Sequence, residues 1–173
     1  PSGCGKTTLL RIIAGLADPS KGLIFINGIE VNNIPPERRP SNIVFQRYAL
    51  FPHLNVIENI KYGLIAKGLA TDEINNKVED VLKLVDMQEY KYRNIDQLSG
   101  GQSQRIALAR SLINEPDVLL LDEPLAALDL KLRKRMQVEL RQIQQKLKKT
   151  FISVTHDQGE ALAISDRVAV MNE

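Results

Sequence analysis

At 173 residues the chain is long enough for one domain with a substantial core and too short for two comfortable ones. Charged residues make up 25% and apolar ones 43%, which excludes a disordered chain, and a net charge of +2 gives no argument for nucleic acid. One cysteine excludes an internal disulfide framework and fits a reducing compartment, and no apolar run approaches the roughly 18 residues needed to cross a bilayer.

The chain opens on Pro1-Ser2-Gly3-Cys4-Gly5-Lys6-Thr7-Thr8, followed by Leu9, Leu10, Ile13 and Leu16 at helical spacing. This is the phosphate-loop pattern G-x-x-x-x-G-K-[ST] short of its first glycine, which would stand just before Pro1. With no initiator methionine, the chain reads as a fragment. Small residues let backbone N–H groups wrap phosphates, Lys6 brings a point charge to the β/γ oxygens, and Thr7 offers a hydroxyl to Mg²⁺. Cys4, between two glycines, reads as a small filler of that loop.

From Gly22 the period changes to two. Leu23–Ile26, Asn27-Gly28 and Ile29–Val31 predict an antiparallel hairpin over about residues 22–31, because Asn-Gly suits the mirror-image turn that joins twisted strands. Pro35, Pro36 and Pro40 mark a loop, and Ile43-Val44-Phe45 reads as a short core strand ending at Gln46. Tyr48, Leu50, Phe51 and Leu54 follow in what reads as a loop, where several large apolar side chains suggest a surface that meets a partner. Residues 55–97 read as helices, with Asp72 and Glu73 at a favourable helix start and an apolar stripe of Ile74, Val78, Val81, Leu82 and Val85.

Leu98-Ser99-Gly100-Gly101-Gln102 opens the next helix, with Ile106, Ala109 and Leu112 apolar; the unpaired N–H groups of such a start attract an anion. Val118–Leu121 is an apolar run without alternation, as in a strand covered on both faces, and it ends in Asp122-Glu123-Pro124, where open α/β sheets bind ligands. Asp129 closes the turn after it. A long helix follows, with Leu132, Met136, Leu140, Ile143 and Leu147 inward; its eight Lys/Arg against Glu139 read as a solvated face, since no aromatics interleave the charges. Phe151–Thr155 reads as a second buried strand ending in His156, Asp157-x-x-Glu160 as a capping box, and Arg167–Met171 as a last strand.

These motifs in this order resemble the ATP-binding cassette (ABC) ATPases, over nearly all of the chain. The resemblance implies a P-loop α/β fold with a mostly parallel core sheet, an antiparallel hairpin and an inserted helical subdomain. Residues 1–51 and 101–173 would form the core and about 52–100 the subdomain, truncated at both ends. It implies hydrolysis of MgATP at a dimer interface. Residues 1–8 would hold the phosphates; Thr7, Gln46 and Asp122 would serve Mg²⁺; Glu123 would be the general base; and Gln46 and His156 would stand at the attacking water and the γ-phosphate. Ser99, Gly100 and Gly101 would cap the γ-phosphate of the ATP held by a second copy, and Gln102 and Asp129 would also bind nucleotide.

Residues 46–60 would meet membrane permease subunits, with a substrate-binding protein acting indirectly and no nucleic acid involved. The wording of residues 125–134 and Thr155-His156-Asp157-Gln158 is similar to the importer branch, most of all to ATPases of spermidine/putrescine importers, which sit peripherally on the cytoplasmic face of the cell membrane. Sugar, iron or sulfate importers share most of these residues, and non-transport members are a further alternative. The 92 residues between Lys6 and Ser99 leave no room for the long coiled coil of chromosome-maintenance relatives. Gly159 departs from the family, which usually has an acid there; the family's adenine-stacking aromatic has no counterpart in the chain. The resemblance also expects a strand upstream of Pro1, between the strands at 151–155 and 167–171, so the chain alone is expected to be poorly soluble and to bind ATP weakly.

Overall fold

The computed structural model describes residues 3–172, so the parts of the phosphate-loop reading that fall on Pro1 and Ser2 lie outside the described residues. Three parallel strands, β3 (Ser41–Val44), β4 (Val118–Asp122) and β5 (Thr150–Val154), form a sheet in the order β3-β4-β5. Val44 lies opposite Leu121, and Leu121 opposite Ser153. The sheet is covered on both faces, and alternation along β4 divides its side chains between two apolar clusters. Leu119 and Leu121 join a large cluster with the helices, while Leu120 meets Leu10, Ala14 and Val154 on the other face. The apolar run of 118–121 thus has no polar face to show because neither face meets water.

Helix α1 (Lys6–Ala14) lies on the second face. Leu10, Ala14 and half-buried Ile13 pack there, whereas Leu9 and Leu16, expected on the same stripe, are exposed. The covered stripe is narrower than the spacing suggested, although α1 contacts all three strands. Its C-terminal end is closed by Gly15 at φ 80 and by Arg39, whose Nη1 donates to Ile12 O and Ile13 O at 2.8 and 2.9 Å. A Cβ on Gly15 would stand 2.6 Å from Arg39 Nε, so glycine is required for this approach as well as for the φ. Arg39 also donates to Ile34 O and Asn32 O, which fastens the phosphate-loop helix to the loop after the hairpin.

The hairpin is present but short, β1 (Phe25–Ile26) paired with β2 (Ile29–Glu30), and Asn27 and Gly28 take φ 52 and 77 as the mirror-image turn demands. Helices α2 (Val56–Ala66) and α3 (Thr71–Leu84) carry the middle of the chain. Ile74, Val78, Val81, Leu82 and Val85 are all buried, as their stripe predicts. Helix α4 (Gly100–Leu112) packs against α2, α3 and β3, so the helical segment and one sheet face share one continuous cluster. Within that cluster sit Tyr48, buried, and Leu50, partly buried. The 48–54 segment therefore folds two of its large side chains inward instead of offering them all to a partner.

Helix α5 (Leu130–Leu147) buries Met136, Leu140 and Ile143 and rests half-buried Leu132 and Leu147 on the same cluster. Helix α6 (Gln158–Ile164) packs on α5. Two expectations for this end are corrected. Strand β5 is buried only at Val154, since it pairs with β4 alone among the described residues and its outer side has no ladder. Residues 167–171 form no strand: with no neighbour to pair with among the described residues, their alternating Val168 and Val170 remain exposed.

Candidate active site

The carboxyl ends of β4 and β5 bring together residues from four distant parts of the chain. Thr7, in the first turn of α1, donates its hydroxyl to Asp122 Oδ1 at 2.8 Å. Asp122 is buried at the last position of β4, paired opposite Val154, so its carboxylate is fixed by the sheet and Thr7 by α1 on the sheet's face. The loop before α1 turns through Gly3 and Gly5 at φ 89 and 90, and Gly5 O accepts from Leu9 N at 2.8 Å, starting the helix. Both glycines are needed there, because side chains rarely adopt that φ. Lys6 Nζ lies 3.2 Å from Cys4 Sγ. The hydrogen bond from Lys6 is the main reason the Cys4 thiol sits below its ordinary pKa. Thr8 is exposed beside them.

One residue further along, Glu123 takes φ 46. Its N–H still donates to Val154 O at 3.0 Å, extending the ladder by one bond, while the left-handed turn swings the side chain out of the sheet. A β-carbon at positive φ is strained, and such residues persist where the surroundings hold them. Here the holding groups are visible. Gln46 Nε2 donates to Glu123 Oε2 at 3.0 Å, and His156 Nδ1 lies 3.2 Å from Oε1. Each carboxylate oxygen therefore has its own partner, and an ionised carboxylate makes Nδ1 the donor. Gln46 follows β3 and His156 follows β5, so the two outer strands deliver one flanking group each to the central strand's carboxylate.

Thr155 and Asp157 bracket His156. Asp157 N donates to Thr155 Oγ1 at 3.0 Å, and Thr155 Oγ1 donates to Glu160 Oε2 at 2.9 Å. The expected capping box is therefore half formed: Asp157 Oδ1 accepts from Glu160 N at 3.0 Å, but the Glu160 carboxylate turns to Thr155. Gly159 is accommodated in the first turn of α6, with an added Cβ 3.1 Å from Asp157 Oδ1.

The second group of expected site residues is engaged with itself. Ser99 Oγ accepts from Gln102 N at 3.3 Å, and Gln102 Oε1 accepts from Ser99 N at 2.8 Å, a complete capping box at the start of α4. Gly100 is exposed. Gly101 is buried, and a Cβ there would meet Leu132 Cδ2 at 3.1 Å. Asp129 caps α5 through Leu132 N at 3.0 Å. The fold thus gathers Thr7 with Asp122, and Gln46 with Glu123 and His156, while Ser99, Gln102 and Asp129 are spent on helix caps.

Two residues that organise the site escaped the sequence reading. Asn59, fully buried on α2, accepts from Phe51 N and donates to Phe51 O and Leu54 O, pinning the segment after Gln46. Arg110 on α4 donates to Ala49 O and Tyr48 O at 2.8 and 3.0 Å. Only a buried Asn amid apolar Ile57 and Ile60 could have hinted at the first; nothing local marks the second.

A family profile described as ABC transporter matches residues 1–126. The spermidine/putrescine import ATP-binding protein PotA of Bacteroides fragilis (strain YCH46) is 59% identical over all 173 residues, which span 38% of that protein. PotA of Clostridium novyi (strain NT) is 57% identical and PotA of Desulfitobacterium hafniense (strain Y51) 60%, with the chain spanning 50% of each. The chain therefore spans half or less of these curated relatives. Among solved structures, the dimeric post-hydrolysis state of the ATP-binding cassette MJ0796 bound to ADP and Pi superposes with a TM-score of 0.78 at 33% identity, covering 94% of this chain and 75% of that one. A second dimeric structure of the same cassette gives 0.79 at 34% identity and the same coverage. With the motif order, the strand-end geometry and these likenesses in agreement, the chain belongs to the ABC transporter family.

Proposed function

We propose that the chain is the ATP-hydrolysing part of an importer's ATP-binding subunit, with polyamines as the transported class. The observation that carries the hydrolytic reading is the Glu123 carboxylate held at both oxygens by Gln46 and His156, one residue beyond the Thr7–Asp122 pair. A carboxylate fixed in this way can accept a proton from a water placed between it and a phosphate, with no reorganisation at the moment of reaction. Gln46 and His156 hold its orientation, and Lys6 and the backbone of residues 3–8 bind phosphate oxygens.

The residues present fit Mg²⁺. Thr7 and Asp122 offer two hard oxygen donors 2.8 Å apart, and Gln46 bonds to Glu123, the next residue in the chain. No cluster of three His, Cys, Asp or Glu occurs among the described residues. That is the donor set of an ion that takes one or two protein oxygens and fills its remaining positions with phosphate and water. When bound, Mg²⁺ neutralises charge on the β/γ oxygens.

Ser99, Gly100, Gly101 and Gln102, capped and exposed at Ser99 and Gly100, would serve a nucleotide held by another copy, together with Asp129. The dimeric state of the structural relatives supports that assignment. Residues 52–100 then act as the helical subdomain, and residues 46–60 as the contact with permease subunits, where half-buried Phe51 meets exposed Tyr62 in a tilted ring pair with centroids 4.7 Å apart. A binding protein would supply the substrate. Among the described residues no helix is long and apolar enough to cross a membrane, so placement at the cytoplasmic face would be peripheral and through those partners. The relatives' names favour polyamine over sugar, iron or sulfate import and over a non-transport role.

The test is Glu123→Gln in the full-length protein. ATP should still bind while steady-state hydrolysis disappears, because the amide keeps the shape but cannot take the proton. Hydrolysis at the parent rate would remove Glu123 as the base.

A further inference from the structure

Gln46 reaches Glu123 from a segment bent by two successive residues at positive φ, Tyr48 at 61 and Ala49 at 48. Neither is glycine, so each Cβ crowds the backbone, and two in succession persist only where other groups hold them. Backbone bonds within the turn, Tyr48 N to Phe45 O and Ala49 N to Arg47 O, close it locally. Among the described residues, one side chain bonds to the backbone between Gln46 and Phe51. It is Arg110, whose two Nη groups donate to the carbonyls of the two strained residues themselves.

The fork matches the turn. Tyr48 O and Ala49 O point to one side because both residues are left-handed, and a planar guanidinium spans both at 3.0 and 2.8 Å. Its face also lies 5.2 Å from the Phe51 ring centre, at the end where Asn59 pins Phe51 to α2. Burial pushes the Arg110 guanidinium below its ordinary pKa, and the two carbonyls are what keep the half-buried charge partnered. The turn is therefore held at one end by Glu123, at the other by Asn59, and in the middle by Arg110 from the helix that begins at Ser99.

We propose that Arg110 is a positioning residue for hydrolysis: it keeps the 46–51 turn in its strained form, so that Gln46 stays against Glu123, and it ties that turn to helix α4. The proposal rests on the ATPase reading above and adds a residue whose bonds go to the Tyr48 and Ala49 carbonyls rather than to Thr7, Asp122 or Glu123. Alongside the bonds of Ser111 to Asn42 and Ile43 on β3, this guanidinium gives movement of α4, which carries the capped Ser99 start at its other end, a direct route to the turn that holds Gln46 against Glu123.

The experiment is steady-state ATP hydrolysis by the full-length protein carrying Arg110→Met, Arg110→Lys, or Arg110→Met together with Ala49→Gly. A displaced Gln46 should lower kcat about tenfold to a hundredfold for Arg110→Met, the scale of a misplaced reacting group. KM for ATP should stay within a factor of about three, because the phosphate loop is untouched. Arg110→Lys keeps the charge and the stem but not the fork, and should fall between. Adding Ala49→Gly, at an exposed position, should recover a large share of the lost kcat, because glycine takes a positive φ without strain and no longer needs the clamp.

Parent-like kcat in Arg110→Met would overturn the proposal. So would a loss that Ala49→Gly leaves unrecovered while the melting temperature falls, which would make Arg110 an ordinary anchor of the fold. Should Arg110→Met fail to fold, the lysine variant decides: parent-like kcat there overturns the clamp, and a partial loss relieved by Ala49→Gly supports it. A parent that hydrolyses no ATP would instead sink the ATPase reading.

Discussion

The two groups of expected site residues are built in opposite ways. At the ends of β4 and β5, Thr7 meets Asp122 across 115 positions, Gln46 meets Glu123 across 77 and His156 meets Glu123 across 33. At the start of α4, Ser99 and Gln102 bond to each other across three. The first group is assembled by the sheet and exists only when the fold does. The second is assembled by its own helix and presents a backbone, with its side chains already used. The difference teaches which functions each can perform: convergent side chains can share a proton and an ion, whereas a capped, glycine-rich helix start can offer only directed N–H groups.

The comparison breaks most sharply at Asp122. If the long-range group carries the chemistry, Asp122→Asn should cost at least about a hundredfold in kcat/KM, the scale of losing one electrostatic partner in a reacting site. The amide preserves the acceptor for Thr7, so stability should change little. Titrating Mg²⁺ against hydrolysis rate in the full-length protein measures this, and a variant that needs no more Mg²⁺ than the parent would detach Asp122 from the ion.

Gly101 tests the other group, where the effect should be smaller and structural in origin. A methyl there meets Leu132 Cδ2 at 3.1 Å and Cδ1 at 3.2 Å, so α5 must shift or Leu132 must turn. Overpacking of this kind costs about 1–3 kcal/mol, against at most about 1 kcal/mol gained by replacing a helical glycine with alanine. Gly101→Ala should therefore destabilise by roughly 1 kcal/mol, the remainder of those two terms. Leu132→Val in the same protein should restore part of the loss, since it removes the opposing carbon. Chemical denaturation of the single and double variants gives the coupling; additive losses would mean that the two positions do not touch.

What could be read from the sequence divides along the same line. The Asn27-Gly28 turn, the helix start at Ser99, the α3 stripe and the double-sided burial of β4 are each set by residues within a few positions, and each has the expected form. The pairing of Thr7 with Asp122 was reachable only through the resemblance, because no spacing rule connects positions so far apart. Arg39 and Arg110 were unreadable for another reason: their partners are carbonyl oxygens, which every residue has and no sequence marks. Strand β5 and residues 167–171 miscarried because burial and pairing belong to the neighbour. Phe151–Val154 is as apolar in pattern as a covered strand, yet only Val154 is buried.

The smallest effect is expected at Glu160, behind His156, where the two kinds of construction meet. Its N–H caps locally to Asp157, while its carboxylate is buried, with Oε2 bonded to Thr155 and Oε1 unpartnered among the described residues. Burial raises the Glu160 pKa, the Thr155 bond and the charges of Arg133 and His156 oppose that, and Asp157 adds to it. An acid raised in the folded state binds its proton more tightly there than when unfolded. Its contribution to stability is thus complete below the unfolded pKa of about 4.3 and is lost as pH rises through the folded value. Asp157 runs the other way: the bond from Glu160 N lowers its pKa, so its contribution is present above about 3.9 and is lost as pH falls through the folded value. The two windows lie on opposite sides of pH 4, which separates them experimentally. Glu160→Gln keeps the acceptor for Thr155 and never charges. The variant should melt slightly higher than the parent at pH 8, by a few degrees at most, and the gap should close as pH falls through the raised folded pKa toward the unfolded value of about 4.3. A gap of the same size at pH 8 and at about pH 4 would show that it does not come from a buried Glu160 charge.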